Sequence, residues 1–74
     1  MDRSTAKVLI SGLERHPRRI ELFAADLEAF ILRTMDAVFE LAKSGDDDER
    51  KMRMVGLEYR ARLLLERLKK TGLN

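Results

Sequence analysis

The chain is organised around residues 17–42, which read PRRIELFAADLEAFILRTMDAVFELA. From residue 20 onward, apolar residues recur every three or four positions, which places them on one face of an α-helix. This main stripe comprises Ile20, Phe23, Leu27, Phe30, Ile31, Met35, Val38, Leu41 and Ala42. Pro17 suits a first helical turn, and Gly45 suits the left-handed residue that follows a helix. We therefore predict a long helix over residues 18–43.

A second stretch with helical spacing begins directly after the acidic turn at residues 46–49. Asp46 or Asp47 is a suitable N-cap, and Gly72 is a suitable residue to end the helix. Its apolar seam comprises Met54, Leu57, Ala61, Leu64, Leu65 and Leu68. We predict a helix over residues 47–71. The short connection predicts that the two long helices form an antiparallel hairpin.

The N-terminal segment is less regular. Ser4 or Thr5 could cap a short helix that carries Val8, Leu9 and Leu13 on one side, although Gly12 weakens helical propensity. The run from Val8 to Ile10 would also suit a strand, but no other segment offers a strand partner. We predict a helix over residues 5–15 that folds over the hairpin, which makes the protein all-α.

Each long helix carries more apolar residues than its main face can bury. The surplus residues are Leu22, Ala25, Ala29, Leu32 and Phe39 on the first long helix and Met52, Val55, Tyr59 and Leu63 on the second. Leu32 and Phe39 lie on one line, seven residues apart. Two interpretations are open: a wide core face covered by the N-terminal segment, or contact with another chain. Gly56 interrupts the second helix and could mark close approach by another backbone, or simply be tolerated.

The length of 74 residues predicts a single domain over residues 1–74, with a limited core. The chain contains no cysteine, so neither a disulfide nor a thiolate zinc site can add stability. Association is the remaining way to bury more apolar surface. We therefore predict that two hairpins pair into a dimeric four-helix-type bundle.

The net charge of +2 hides an uneven distribution along the chain. Residues 20–49 hold two cations and nine acids, whereas residues 50–74 hold eight cations and two acids. The two long helices are thus complementary in charge. An antiparallel hairpin would also gather a basic end, comprising Arg15, Arg18, Arg19, Arg67, Lys69 and Lys70. The basic end makes nucleic-acid binding the alternative functional hypothesis, although no groove-reading motif accompanies it.

The sequence contains no recognisable catalytic, cofactor-binding or metal-binding motif. His16 is the sole histidine, and no Gly-rich phosphate loop or zinc-protease motif occurs. The acidic turn lacks the ligand spacing of an EF-hand calcium loop. We expect no enzymatic activity, no cofactor and no metal site. With 45% hydrophobic and 38% charged residues, and no long apolar run, we also expect no membrane association and a cytoplasmic location.

These observations favour a small helical protein–protein interaction module, such as an adaptor, a chaperone or a regulator of a larger protein. It would act as a homodimer and use the surplus residues Leu32, Phe39, Met52, Val55, Tyr59 and Leu63 for contact.

Overall fold

A computed structural model describes residues 1–45 and 47–70 of the protein. The described residues form three α-helices and one 3₁₀ turn, and they contain no strand. Helix α1 spans Arg3–Arg15, the 3₁₀ turn spans Pro17–Arg19, α2 spans Ile20–Ser44 and α3 spans Asp48–Lys70. The prediction of an all-α protein is confirmed.

Helix α1 begins earlier than predicted, because Asp2 and not Ser4 or Thr5 is its N-cap. The Asp2 Oδ1 atom accepts a hydrogen bond from the Thr5 backbone N–H at 2.7 Å. This bond stabilises the ionised carboxylate and lowers the pKa of Asp2. Of the three residues predicted for the packing side of α1, Leu13 is buried and Leu9 packs against the core, but Val8 does not belong to that side. Ala6, Ile10 and Leu13 are buried, whereas Val8 is 74% exposed.

Pro17 begins a separate helical turn and does not begin α2 itself. The Arg19 N–H donates to the His16 carbonyl at 3.1 Å, which closes a 3₁₀ turn over Pro17–Arg19. The α-helical pattern starts at Ile20, two residues after the predicted start. The turn therefore redirects the chain from α1 into α2 while keeping it helical.

The connection between α2 and α3 follows the predicted chemistry. Gly45 has φ of 71° and donates its N–H to the Leu41 carbonyl at 3.1 Å, as expected of a left-handed residue after a helix. Asp47 Oδ1 accepts from the Arg50 N–H at 3.1 Å and so caps α3. Asp46, the alternative cap, lies outside the described residues, as do Thr71 and the predicted helix end at Gly72.

Helices α2 and α3 form the predicted antiparallel hairpin. Near the turn, residues 40–44 of α2 lie beside residues 50–54 of α3, and further along residues 34–35 lie near residues 58–62. Helix α1 packs on one side of this hairpin and runs in the same direction as α3, since Arg3 lies near Arg53 and Glu14 binds Arg60. The bundle measures 40 × 21 × 16 Å.

The core lies where the three helices meet. Its buried apolar residues are Ala6, Ile10 and Leu13 of α1, Ile20, Leu27, Phe30 and Ile31 of α2, and Leu57, Ala61 and Leu64 of α3. The predicted seam of α3 is therefore largely in the core. On α2 the predicted main stripe includes two residues that are not buried, because Met35 is 49% exposed and Ala42 is exposed as well. Both residues lie on the side of the hairpin that α1 does not cover.

Candidate functional site

An apolar groove lies between α2 and α3 on the side of the hairpin without α1. It has a volume of about 390 Å³, and no residue of α1 lines it. The lining residues are Thr34, Met35, Val38, Phe39 and Ala42 of α2, and Val55, Glu58 and Arg62 of α3. The groove arises because α1 occupies only one side of the hairpin and leaves the opposite side without a third helix.

Arg62 crosses this apolar groove from α3 towards α2. Its Nη2 atom forms an ion pair with Glu58 one turn earlier on α3, and it lies 3.7 Å from the Met35 sulfur on α2. The Glu58 side chain is only 12% exposed, and Arg62 is the one cation that pairs with it among the described residues. The groove thus combines apolar walls with a single ion pair along one edge.

Phe39 forms the outer wall of the groove on α2, and its ring is 60% exposed to solvent. The Lys43 ammonium lies 4.5 Å from the centre of that ring, a geometry that supports a cation–π interaction. Lys43 also approaches Glu40 at 3.9 Å. Phe39 as a residue nonetheless remains 60% exposed beside Lys43.

The six residues predicted for protein contact are all exposed, and two of them line the apolar groove. Phe39 and Val55 line the apolar groove, and Leu32 lies on the same helical line as Phe39, seven residues earlier. Met52, Tyr59 and Leu63 lie on the outer surface of α3 and line no part of the groove. Within one chain, the interpretation that the N-terminal segment covers Leu32 and Phe39 is wrong, because α1 packs on the other side.

Several groove residues were missed or assigned to the core from sequence. Met35, Val38 and Ala42 belong to the main stripe by spacing, and Glu58 and Arg62 look like an ordinary surface pair four residues apart. Helical spacing alone does not distinguish a residue at the edge of the core from a residue that lines a groove. The distinction depends on which side of the hairpin α1 covers, and that is a property of the tertiary packing.

Gly56 is exposed on α3, and a Cβ added there would meet no atom within 4 Å. Close approach by another backbone is therefore absent within this chain. Approach by the backbone of another molecule stays a prediction, beside the interpretation of a tolerated helical glycine.

The six cations of the basic end are all exposed. Arg18 and Arg19 directly precede α2, while Lys69 and Lys70 finish α3, so the antiparallel hairpin places them at the end away from the 44–48 turn. The hydrogen bond from Arg60 is the main cause of the lowered pKa of Glu14, and the nearby positive charge of Arg67 also lowers it. Glu14 therefore offsets part of the positive charge at this end.

No group of three or more His, Cys, Asp or Glu residues in the described part of the chain could hold a metal ion. Among residues 1–45 and 47–70, no helix has the length and apolar character needed to span a membrane. Comparison of the chain with protein-family models, with curated proteins and with solved structures found no match. The candidate surfaces are accordingly defined by the geometry of this chain.

Proposed function

We propose that this protein is a small helical protein–protein interaction module that acts as a cytoplasmic homodimer, and that the apolar groove is its principal contact surface. Its role would be to bind a larger protein, as an adaptor, chaperone or regulator, and not to catalyse a reaction. The observation that carries the proposal is the exposure of large apolar side chains along one uncovered side of the hairpin.

The apolar walls of the groove supply a driving force for association. Phe39 is 60% exposed and Met35 is 49% exposed, so both would lose considerable water contact under a partner. Fully burying a side chain of this size contributes about 1.5–3 kcal/mol. Such a contact would also bury Val55 at the opposite wall, where it is 39% exposed. A partner with an apolar helix face is the simplest match for a groove between two helices.

A second copy of the chain can supply such a face. Two hairpins that meet through their grooves would give each long helix a second helical neighbour, as in a four-helix bundle. Helix α1 covers the other side of the hairpin, so the groove side is the one left for this pairing. The small core of a 74-residue chain adds to the benefit of association.

The dimer is tested by light scattering on groove variants with a matched control. We expect Phe39→Asp, Val55→Asp and their combination to shift the protein from dimer to monomer at low micromolar concentration, because each places a charge in an apolar interface. Leu22→Asp is the control, since Leu22 is 72% exposed on the same helix as Phe39 but does not line the groove. Equal molar masses for wild type, groove variants and control would rule out the groove as the dimer surface.

The binding of a larger protein needs a separate measurement. Proteins captured from the native host by the wild type should be lost with Phe39→Asp and retained with Leu22→Asp. Capture that is insensitive to Phe39→Asp would place the partner site elsewhere on the molecule.

The alternative function is nucleic-acid binding through the basic end. It is favoured by the position of Arg18 and Arg19 at the same end of the bundle as Lys69 and Lys70. Clustered cations of this kind attract phosphates without reading sequence. We rank this function second, because terminal cations also suit the C-terminal end of a helix dipole.

A further inference from the structure

A second depression, the basic cleft, lies between α1 and α3. Its volume is about 270 Å³, and it is lined by Arg3 and Lys7 of α1 and by Arg53, Gly56, Leu57 and Arg60 of α3. Four of these six lining residues are cations, and no carboxylate lines the cleft. The basic cleft shares no residue with the apolar groove or with the basic end.

Only part of the positive charge in the basic cleft is neutralised within the chain. Arg53 pairs with Glu49 at 2.6 Å, and Arg60 pairs with Glu14 at 2.5 Å. Arg3 and Lys7 form no ion pair with any residue in the described part of the chain. Arg3 and Lys7 of α1 therefore line the cleft without an ion-pair partner in the described part of the chain, beside two arginines of α3 that are each paired with a carboxylate.

Arg3 lies in the first turn of α1 and Lys7 lies one turn later, while the first turn contains no acidic residue. The carboxylate at the positive end of this helix is that of the N-cap Asp2, which is not among the residues that line the cleft. An anion bound in the cleft would supply the negative charge that the lining residues lack.

We propose that the basic cleft binds two adjacent phosphate groups, as found in a diphosphate. Because α1 and α3 run in the same direction, Arg3 and Arg53 lie towards one end of the cleft, and Lys7 and Arg60 lie further along. The cleft thus has one pair of cations at each of two positions along its length. This arrangement suits two linked phosphates better than a single phosphate. The Arg3 guanidinium forms no ion pair in the described part of the chain and can donate two parallel hydrogen bonds to phosphate oxygens, and Lys7 adds a point charge. Arg53 and Arg60 are held by Glu49 and Glu14, and they add positive charge along the wall formed by α3.

The shape of the cleft leaves room for such a group. Gly56 lies on the wall formed by α3 between Arg53 and Arg60, and a Cβ at this position would meet nothing within 4 Å. The wall formed by α3 therefore has no side chain at this position and no atom near the place where a Cβ would lie. Two sources supply this chemistry: a small molecule that carries a diphosphate, or consecutive phosphates along a nucleic-acid strand.

The test measures thermal unfolding with sodium pyrophosphate, against sodium chloride of equal ionic strength. We expect pyrophosphate to raise the Tm of the wild type by at least a few degrees beyond the chloride control, because a ligand that binds only the folded state stabilises it. Calorimetric titration should give pyrophosphate binding about tenfold weaker or more in the double variant Arg3→Gln/Lys7→Gln, from the loss of charge-assisted contacts.

The matched control is Arg18→Gln/Arg19→Gln, which removes the same charge outside the basic cleft. It should bind pyrophosphate like the wild type. No pyrophosphate effect beyond chloride, or equal losses in both double variants, would overturn the proposal.

The two sources are separated by competition with a short single-stranded DNA that lacks terminal phosphates. Displacement of pyrophosphate by this DNA would assign the basic cleft to a nucleic-acid backbone. Retention of pyrophosphate would assign it to small molecules that carry a diphosphate. Pyrophosphate binding can be tested separately from dimer formation, because groove variants such as Phe39→Asp do not change any residue of the basic cleft.

Discussion

Arg60 of α3 clasps Glu14 of α1 with two hydrogen bonds, although the residues are 46 positions apart in the chain. The Arg60 Nε atom donates to Oε2 at 3.2 Å and Nη2 donates to Oε1 at 2.5 Å. Arg60 Nη2 also donates to Ser11 Oγ at 3.3 Å. The clasp joins α1 to α3 at one end of the basic cleft and fixes the position of α1 along the hairpin.

This clasp predicts a pH-dependent loss of stability on acidification. The hydrogen bonds from Arg60 lower the pKa of Glu14, so the folded state favours the ionised carboxylate more than the unfolded state does. The stabilisation is therefore complete above the unfolded pKa and is lost as the pH falls through the lower, folded pKa. Since the Glu14 side chain is 39% exposed, we expect Glu14→Gln to cost only about 0.5–1 kcal/mol at pH 7.

The measurement for Glu14→Gln is urea unfolding at pH 7 and at a pH below the folded pKa of Glu14. The difference from wild type should be present at pH 7 and should vanish in acid. Glu28→Gln is the control, because Glu28 is exposed and forms no ion pair among the described residues. A Glu14→Gln variant as stable as wild type at pH 7 would contradict the structural role of the clasp.

Gly56→Ala should stabilise the protein by roughly 0.5–1 kcal/mol, because alanine favours an exposed helix interior and its Cβ meets no atom within 4 Å. Gly45→Ala should do the opposite and cost about 1 kcal/mol, since Gly45 has φ of 71°. Both values come from chemical denaturation followed by circular dichroism. Destabilisation by Gly56→Ala would mean that another molecule packs closely against α3 at this point.

Leu27→Ala should destabilise the protein by about 2–4 kcal/mol, because Leu27 is fully buried where the helices meet. Leu22→Ala, on the same helix, should change stability by less than about 0.5 kcal/mol, because Leu22 is 72% exposed. The measurement is the stability of both variants and of the wild type, determined by thermal unfolding. Similar losses for both would show that the Leu22 side is also packed, for example against another chain.

Any nucleic-acid binding through the basic end should be weak and independent of sequence. We expect affinity for duplex DNA to fall steeply with salt, because each neutralised phosphate releases counterions. The quadruple change of Arg18, Arg19, Lys69 and Lys70 to glutamine should abolish this binding and leave the helical content unchanged, since surface charges contribute little to stability. Electrophoretic mobility shifts at low and high salt provide the measurement. Sequence-specific binding that survives high salt would favour the nucleic-acid function over the interaction module.

Features that depend on neighbouring residues were predictable from sequence. The three helices were predicted in the right places, and so were the left-handed Gly45 and a cap at Asp46 or Asp47, because caps and turns follow from backbone chemistry within about four residues. Asp47 is the cap that the structure describes. Two local details were not predicted: the cap of α1 lies at Asp2, and a 3₁₀ turn at Pro17 delays the start of α2.

The sequence did not predict which residues of one helix face another helix, because this depends on how the helices are rotated relative to one another. Spacing alone assigned Met35 and Ala42 to the core, but α1 packs on the opposite side of the hairpin and leaves them at the groove. Spacing also gave no reason for Arg3 and Lys7 to face Arg53, because the sequence pattern does not contain the direction in which α1 crosses α3.

By itself, then, the sequence determined that the chain forms three helices with two of them in an antiparallel hairpin, since apolar periodicity, caps and a short turn act locally. Tertiary structure alone decided which side of the hairpin α1 covers. That choice is set by the total apolar area buried and by pairs such as Glu14 and Arg60, which are distant in sequence. It leaves an apolar groove on one side of the bundle and a basic cleft on the other.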